Sequence, residues 1–382
     1  MKKVLIALGI ALTSLSAHAD FQFRTPVGMQ FTVSDAAASA PADLTGISCG
    51  GHHCLGIKDG NVWGVGGNYF GHLGVGDSID KYYWIDTGLP ATQVAAGDAF
   101  SYALSNGRVW VTGHNGYGQL GLGDKTRRYN WTDTGRTATD IAAGSLHGYI
   151  LEGGVVYGSG YNAHGQLGLN HTNEVLSFTA SLSGVKDIEA HYYHGLAVLD
   201  NGELYSVGHN SYGQLGRSDV SIASNANAHQ WGSTGQVVTE VIPGYRHTII
   251  KSGGKYLGVG ANNLGQLGIG ASNVVTTWSE FPISFDKMAA GHYQSYGMVG
   301  NQLWVVGYNT NGGLGTGNNT DLTTWTDSGL TAQAIYGGED AAYRIDTGGT
   351  IFSTGKNLRG NAGIGVTGAQ LDWMEVTVGG EE

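Results

Sequence analysis

The chain has 382 residues, among them 66 Gly, 20 Tyr and 9 Trp but only 5 Pro, and a formal charge of −11. So much glycine beside so many rings excludes a disordered low-complexity chain and points to close-packed, turn-rich β-structure. The acidic balance repels phosphate backbones, which argues against nucleic acid as a partner.

Lys2 and Lys3 precede a short apolar run over residues 4–11, and Ala17-His18-Ala19 is a small-x-small cleavage site. This is the layout of a secretory signal peptide over 1–19. The run is too short for a convincing membrane span, and no later stretch supplies one. The expected product starts at Asp20 and is periplasmic or secreted. It is more acidic than the whole chain, because two lysines leave with the signal. Residues 20–46 read as an N-terminal arm that includes a linker, DAAASAP, over 35–41.

The two cysteines, Cys49 and Cys54, bracket Gly-Gly-His-His. A hairpin turn there would bring their β-carbons to disulfide distance, and an exported chain favours the bond. A metal site using the pair with His52 and His53, or two free thiols, are the competing readings; the disulfide is preferred and no metal is expected.

From Ile47 onward one motif recurs seven times, with asparagines at Asn68, Asn115, Asn162, Asn210, Asn262, Asn309 and Asn357, as in GHNGYGQLG and GYNAHGQLG. The steps of 47, 47, 48, 52, 47 and 48 residues are the size of a propeller blade. Each repeat reads as a short strand such as QVAAG, a turn, an apolar strand such as SYAL, and a two-residue turn such as Asp59-Gly60. A strand follows with an aromatic at its second place: Trp63, Trp110, Tyr157, Tyr205, Trp304 and Phe352. The predicted fold is all-β, a seven-bladed β-propeller of four-stranded antiparallel blades over 47–378.

Sixteen residues past the Asn comes a further aromatic: Trp84, Trp131, Phe178, Trp278, Trp325 and Trp373. The fourth repeat reaches its own, Trp231, after 21 residues, through a polar insertion. These aromatics are expected to open the next strand. The chain would then end on a strand, 373–378, that closes the ring by joining the first blade, with 379–382 as a tail.

The pattern V-x-x-G-x-x-H, then D-G, then G-x-N-x-x-G-Q-L-G-x-G resembles the repeat of the regulator of chromosome condensation family over about 47–378. The resemblance implies the seven-bladed fold. The chain departs from the family at the place two beyond the strand aromatic, where Trp is common; here stand Val65, Thr112, Ser159, Val207, Val259, Val306 and Thr354. The nuclear member's nucleotide-exchange and chromatin-docking roles do not carry over to an exported acidic chain. Exported bacterial propellers of this fold that bind other proteins, including an inhibitor of β-lactamases, are the nearer analogy, although no inhibitor-specific motif is present.

The seven repeats act as an internal alignment. Places that agree, such as the Gly, Asn and Leu of the motif, serve the scaffold. His53, His147, His194 and His247 share one place and read as structural. The two places before it differ most: Gly51-His52, Asp98-Ala99, Ser145-Leu146, Tyr192-Tyr193, Tyr245-Arg246, His292-Tyr293 and Glu339-Asp340. These turns should form a ring on one face. Tyr192, Tyr193, Tyr245, Arg246, His292 and Tyr293 are the expected core of a partner-binding patch, with His52, Asp98, Glu339 and Asp340 around it; the bland reading is a set of solvated turns. The loops after LGxG, with Tyr82, Tyr83, Arg127, Arg128 and Tyr129, read as polar and solvated.

Catalytic motifs fail on context. Gly46-Ile47-Ser48-Cys49-Gly50 lacks a following helix, and the glycines from Gly363 to Gly368 lack a βαβ unit. No catalytic residue or cofactor is expected. The expected function is binding of an extracytoplasmic protein. The alternative is a carbohydrate-binding or glycan-active propeller with Tyr192, Tyr245 and Tyr293 stacking on sugars.

Overall fold

The computed structural model describes residues 44–223, 226–270, 274–339 and 341–376. The signal and most of the arm (1–43), Asp340 and the tail lie outside these residues, as do the last two positions of the expected closing strand.

Seven four-stranded antiparallel sheets follow one another along the chain. In each, sequence order is also spatial order, from the innermost strand to the outermost. Blade one is Thr45–Cys49, His53–Lys58, Asn61–Gly66 and Lys81–Pro90. Blade seven is Ala334–Tyr336, Ala341–Ile345, Ile351–Gly355 and Gln370–Glu375. The second strand of a blade is sandwiched on both faces, and Phe100–Ser105 is buried at every residue. That is why such strands read as continuous apolar runs rather than alternating ones. The turn after it is a two-residue hairpin: Asp59 and Gly60 take φ of 51° and 77°, as such turns require.

The recurring second aromatic corrects the expected closure. It lies on the outermost strand of its own blade, not on the first strand of the next. The C-terminal strand Gln370–Glu375 pairs with Ile351–Gly355, Phe352 opposite Glu375 and Ser353 opposite Met374. It completes blade seven and does not join blade one. Blade one needs no donated strand, because Thr45–Cys49 is its own innermost strand and Leu44 is fully buried beside it.

The ring closes by packing. Each second aromatic lies against a motif glycine of the preceding blade: a β-carbon on Gly74 would stand 2.5 Å from Trp131 Nε1, and one on Gly268 2.5 Å from Trp325 Nε1. The same contact joins Trp84 of blade one to Gly363 of blade seven, at 2.6 Å. Leu44, Ile47, Cys54, Val65 and Trp84 form one core cluster with Ala341, Tyr343, Ile345, Ile351 and Val376. One backbone bond crosses the same interface, Gly365 N–H to Tyr82 O at 3.0 Å. Its counterpart between blades one and two runs from Gly76 N–H to Tyr129 O at 2.8 Å.

Cys49 and Cys54 are opposite each other on adjacent strands and form a disulfide, with Cα atoms 4.1 Å apart. The histidines of the shared place are fully buried. His53 Nε2 lies 2.7 Å from Ser101 Oγ of the next blade, and His247 Nε2 lies 3.2 Å from Ser295 Oγ. Burial holds His147 and His247 neutral, down to about 3. These rings brace blade against blade.

Candidate functional site

The turn between the innermost and second strands opens on one face of the propeller. In blades four to six it carries the rings singled out above, and the structure brings them together. Tyr192 stands 3.9 Å from Tyr193 and 3.7 Å from Tyr245, centroid to centroid. Tyr245 is 3.7 Å from His292 and 5.1 Å from Tyr293, and His292 stacks on Tyr293 at 4.3 Å. All of these rings are half-buried. The Arg246 guanidinium lies over Tyr245 at 4.8 Å and Tyr212 at 4.6 Å, and its Nη1 donates to the Tyr212 hydroxyl at 2.9 Å.

The fourth blade makes this turn differently. His191 pairs with His194, so Tyr192-Tyr193 is a two-residue loop, and Tyr192 takes a φ of 47°. A bulky residue in the left-handed region is strained, and such strain persists only where the surroundings hold it. Here it sets two phenols side by side.

Burial, then the neighbouring Tyr192 hydroxyl, raises the Tyr245 phenol, and burial chiefly raises Tyr193, so both stay neutral donors at ordinary pH. His292 is pushed down to about 2, by burial first and then by His191, Arg246 and Lys356. Its Nδ1 lies 3.5 Å from Glu339 Oε1. With the ring held neutral, that contact is a polar one rather than an ion pair at neutral pH.

The remaining residues of the ring occupy the other sector. A β-carbon at Gly51 would stand 3.1 Å from Glu339 Oε2 and 3.2 Å from Asp98 Oδ1. The missing side chain at Gly51 thus lets carboxylates of blades seven and two approach one spot. His52 meets Tyr69 at 5.8 Å. Asp340 lies outside the described residues.

Sequence reasoning missed a second band of rings. The variable places inside G-x-N-x-x-G carry Tyr69, Phe70, His114, Tyr117, Tyr161, His164, His209, Tyr212, Tyr308 and Arg359. Tyr69 meets Phe70 at 4.4 Å, Phe70 meets His114 at 4.7 Å, and Tyr117 meets Tyr161 at 5.2 Å. Tyr161 reaches Tyr193 at 5.4 Å, and Tyr293 reaches Tyr308 at 6.2 Å. Arg359 of blade seven lies over Tyr69 at 5.1 Å. Arg127, expected in a solvated loop, lies over Phe70 at 5.1 Å. The signal is present in the internal alignment, since these places vary between fixed ones, but the fixed Gly, Asn and Leu alone receive a role there.

The face also holds a cavity of about 360 Å³ between blades five, six and seven, lined by Arg246, His292, Tyr293, Glu339 and Lys356 among others. Along the axis, where most blades present small residues, blade four contributes Glu189 and His191. Burial first, then Asp187 and Asp140, raises the Glu189 carboxyl well above its usual range. Among the described residues, no group of three or more His, Cys, Asp or Glu side chains could hold a metal ion. None of their helices is long and apolar enough to cross a membrane.

The model of the Regulator of chromosome condensation (RCC1) repeat matches residues 91–119 and 185–214. No curated protein sequence matches the chain. Among solved structures, human WBSCR16 is similar with a TM-score of 0.68 at 21% identity, covering 79% of this chain and 85% of that one. Prp20p from Saccharomyces cerevisiae, described with its binding to Gsp1p and histones, gives 0.68 at 20% identity over 78% and 80%. Yeast RCC1 (Prp20) bound to Kap60 gives 0.67 at 21% identity over 77% and 78%. Likeness at these identities speaks for the fold and leaves function to the site.

Proposed function

With the match to the regulator of chromosome condensation repeat as the premise, we propose that this chain is an exported, non-catalytic propeller that binds a protein outside the cytoplasm through its aromatic face. The observation that carries the reading is the unbroken contact of Tyr192, Tyr193, Tyr245, His292 and Tyr293 across three adjacent blades. Half-buried rings of this kind offer large area with few rotors, and each phenol keeps a hydrogen-bonding tip. Arg246 sits among them with its guanidinium already ordered by two rings, so less freedom is lost on binding. The carboxylates near Gly51 give the opposite sector a negative rim, which tunes association rate more than affinity.

The inequality of the sectors favours one large partner over a repeated small ligand. A propeller that binds glycans with equivalent pockets would present like residues in every blade, and these turns do not. That the related yeast protein is described with protein partners supports a binding use of the fold. The signal-like layout of 1–19 supports export.

The test is capture from the native cell envelope. The bait should itself be recovered there with Asp20 as its first residue, and it should retain a specific protein. Replacing Tyr245 and Tyr293 together by Ala should leave the melting temperature in place and weaken binding by about 2 kcal/mol or more. Undiminished retention by a normally stable double variant would rule out this face, and a bait that kept Met1 would rule out export.

A further inference from the structure

The blade interfaces share one plan at their upper end, and one interface is left unfilled. A residue from the G-x-L-G stretch of one blade stands against a glycine late in the third strand of the next, as His72 does at Gly113 and Asn361 at Gly66. That glycine is paired to the place where the buried histidine recurs. The contact joins Gln119 to Gly160, opposite His147, and Gln166 to Gly208, opposite His194. By the same spacing, the two filling side chains are His72 and Phe100, Gln214 and His247, Gln266 and Gln294, and Asn361 and His53 at the other interfaces. Between blades six and seven they are Gly313 and Ala341. Both of these residues line the cavity of about 360 Å³. The cavity therefore lies where the other interfaces carry two side chains, with the Gln294 side chain forming the wall beside Gly313.

What is missing indicates what fits. In blades two to five the glutamine Oε1 accepts from the backbone N–H two residues earlier: on Tyr117 at 3.0 Å, His164 at 3.0 Å, Tyr212 at 3.1 Å and Leu264 at 3.1 Å. In blade six the equivalent N–H, on Asn311, has lost that acceptor. Two further polar atoms of lining residues are buried without a hydrogen-bond partner, Arg246 Nε and His292 Nε2. Arg246 Nε–H is a donor. His292 faces Glu339 with Nδ1, which places the proton of the neutral ring on Nδ1 and leaves Nε2 as an acceptor. The Asn311 N–H thus lacks an acceptor at the cavity, and an unpaired donor and an unpaired acceptor lie buried in residues that line it. Two cations, Arg246 and Lys356, and one carboxylate, Glu339, line the cavity, so an ammonium is opposed by both cations and a carboxylate by Glu339 alone. An uncharged primary carboxamide is opposed by none of the three and is the group that blades two to five place here.

We propose that the cavity between blades six and seven is an anchor site for a glutamine side chain of the partner protein, which supplies in trans the carboxamide that blades two to five supply from their own chain. The inference rests on the protein-binding reading above for the source of the glutamine. The pocket itself is tested without the partner.

The probe is N-acetyl-L-glutamine N-methylamide, titrated into the isotope-labelled full chain and followed by NMR at the Asn311 amide and the Arg246 Nε–H. Expected is a saturable shift at both positions, at least tenfold weaker with the glutamate counterpart. The G313Q variant should abolish the shift, because it restores the side chain the other blades carry. Its β-carbon would approach the Gln294 Nε2 at 2.7 Å, the movable end of a flexible side chain, so G313Q should fold and keep or raise the melting temperature. Should G313Q fail to fold, A341H fills the same space from the other wall and should give the same loss.

The proposal is overturned by the absence of a saturable shift up to the solubility of the probe. An equal response to the glutamate counterpart, or a stronger response to N-acetylglucosamine, overturns it as well. Partner capture separates the two readings. Loss of partner in the Tyr245 and Tyr293 double variant but not in G313Q overturns the pocket and leaves the face. Probe binding in a chain whose double variant still captures partner overturns the face and leaves the pocket.

Discussion

The histidine that recurs in four of the seven blades shows how a residue can be placed by sequence and explained only by structure. Its repetition marked it as scaffold. Its chemistry is that of a neutral ring buried between blades, with burial lowering His147 to about 3. The unfolded chain takes up that proton near the ordinary value of about 6.5. Below this the unfolded state binds more protons, so the contribution to stability is complete above about 6.5 and declines as pH falls toward 3. Asp187 works in the opposite sense, because its carboxyl is raised to about 6, chiefly by burial and then by Asp140; its contribution is lost as pH rises through that range. Replacing His147 by Gln, the residue blade six already uses at Gln294, removes one titrating group and leaves Asp187 unchanged. The melting temperature of H147Q should therefore fall less steeply than that of the parent between pH 6.5 and 3. Parallel curves would show that His147 is not held neutral by the fold.

At the scale of strands, the repeat period made the number and content of the blades legible, but not which blade owned the last strand. The aromatic after each motif could belong to the end of one blade or the start of the next, because period alone does not fix where a cycle begins. Pairing decides it: Trp304 and Phe352 lie opposite Asp327 and Glu375 within their own sheets. The variable rings such as Tyr69 and Tyr117 stayed hidden for a related reason. They alternate with fixed residues over a stretch too short to show that one set points inward and the other outward. The ownership of the last strand is testable. Removing residues 370–382 should leave Ile351–Gly355 as an open edge and uncover the Gly315 surface on which Trp373 lies. Hydrogen exchange should rise in Ile351–Gly355 and in blade six, with Thr45–Cys49 affected far less. Faster exchange confined to Thr45–Cys49 would mean that the C-terminal strand serves blade one after all.

For the molecule as a whole, a ring without a shared strand depends on the closing interface being as good as the others. Trp84 is fully buried and meets Tyr343 edge-on at 5.7 Å. Trp325, at the interface of blades five and six, is 7% exposed and packs on Phe281 and Phe285 at 5.7 and 4.6 Å. The two sites have the same construction, an indole on a glycine too close to carry a β-carbon. Truncation to alanine should cost about 3–5 kcal/mol at each, the range for removing a buried tryptophan. The consequences differ in place. W325A weakens a joint that the chain also crosses covalently, so the two blades remain neighbours after the packing is lost. W84A weakens the joint where the first and last blades meet without chain continuity, leaving among the described residues such links as the Gly365–Tyr82 backbone bond and the Arg359–Asp80 ion pair. Exchange in W84A should accordingly rise at both ends of the described chain, in Thr45–Cys49 and in Ala341–Ile345, while W325A should act mainly on blades five and six. If W84A costs well under 1 kcal/mol while W325A costs several, the interface of blades seven and one is not what closes the ring.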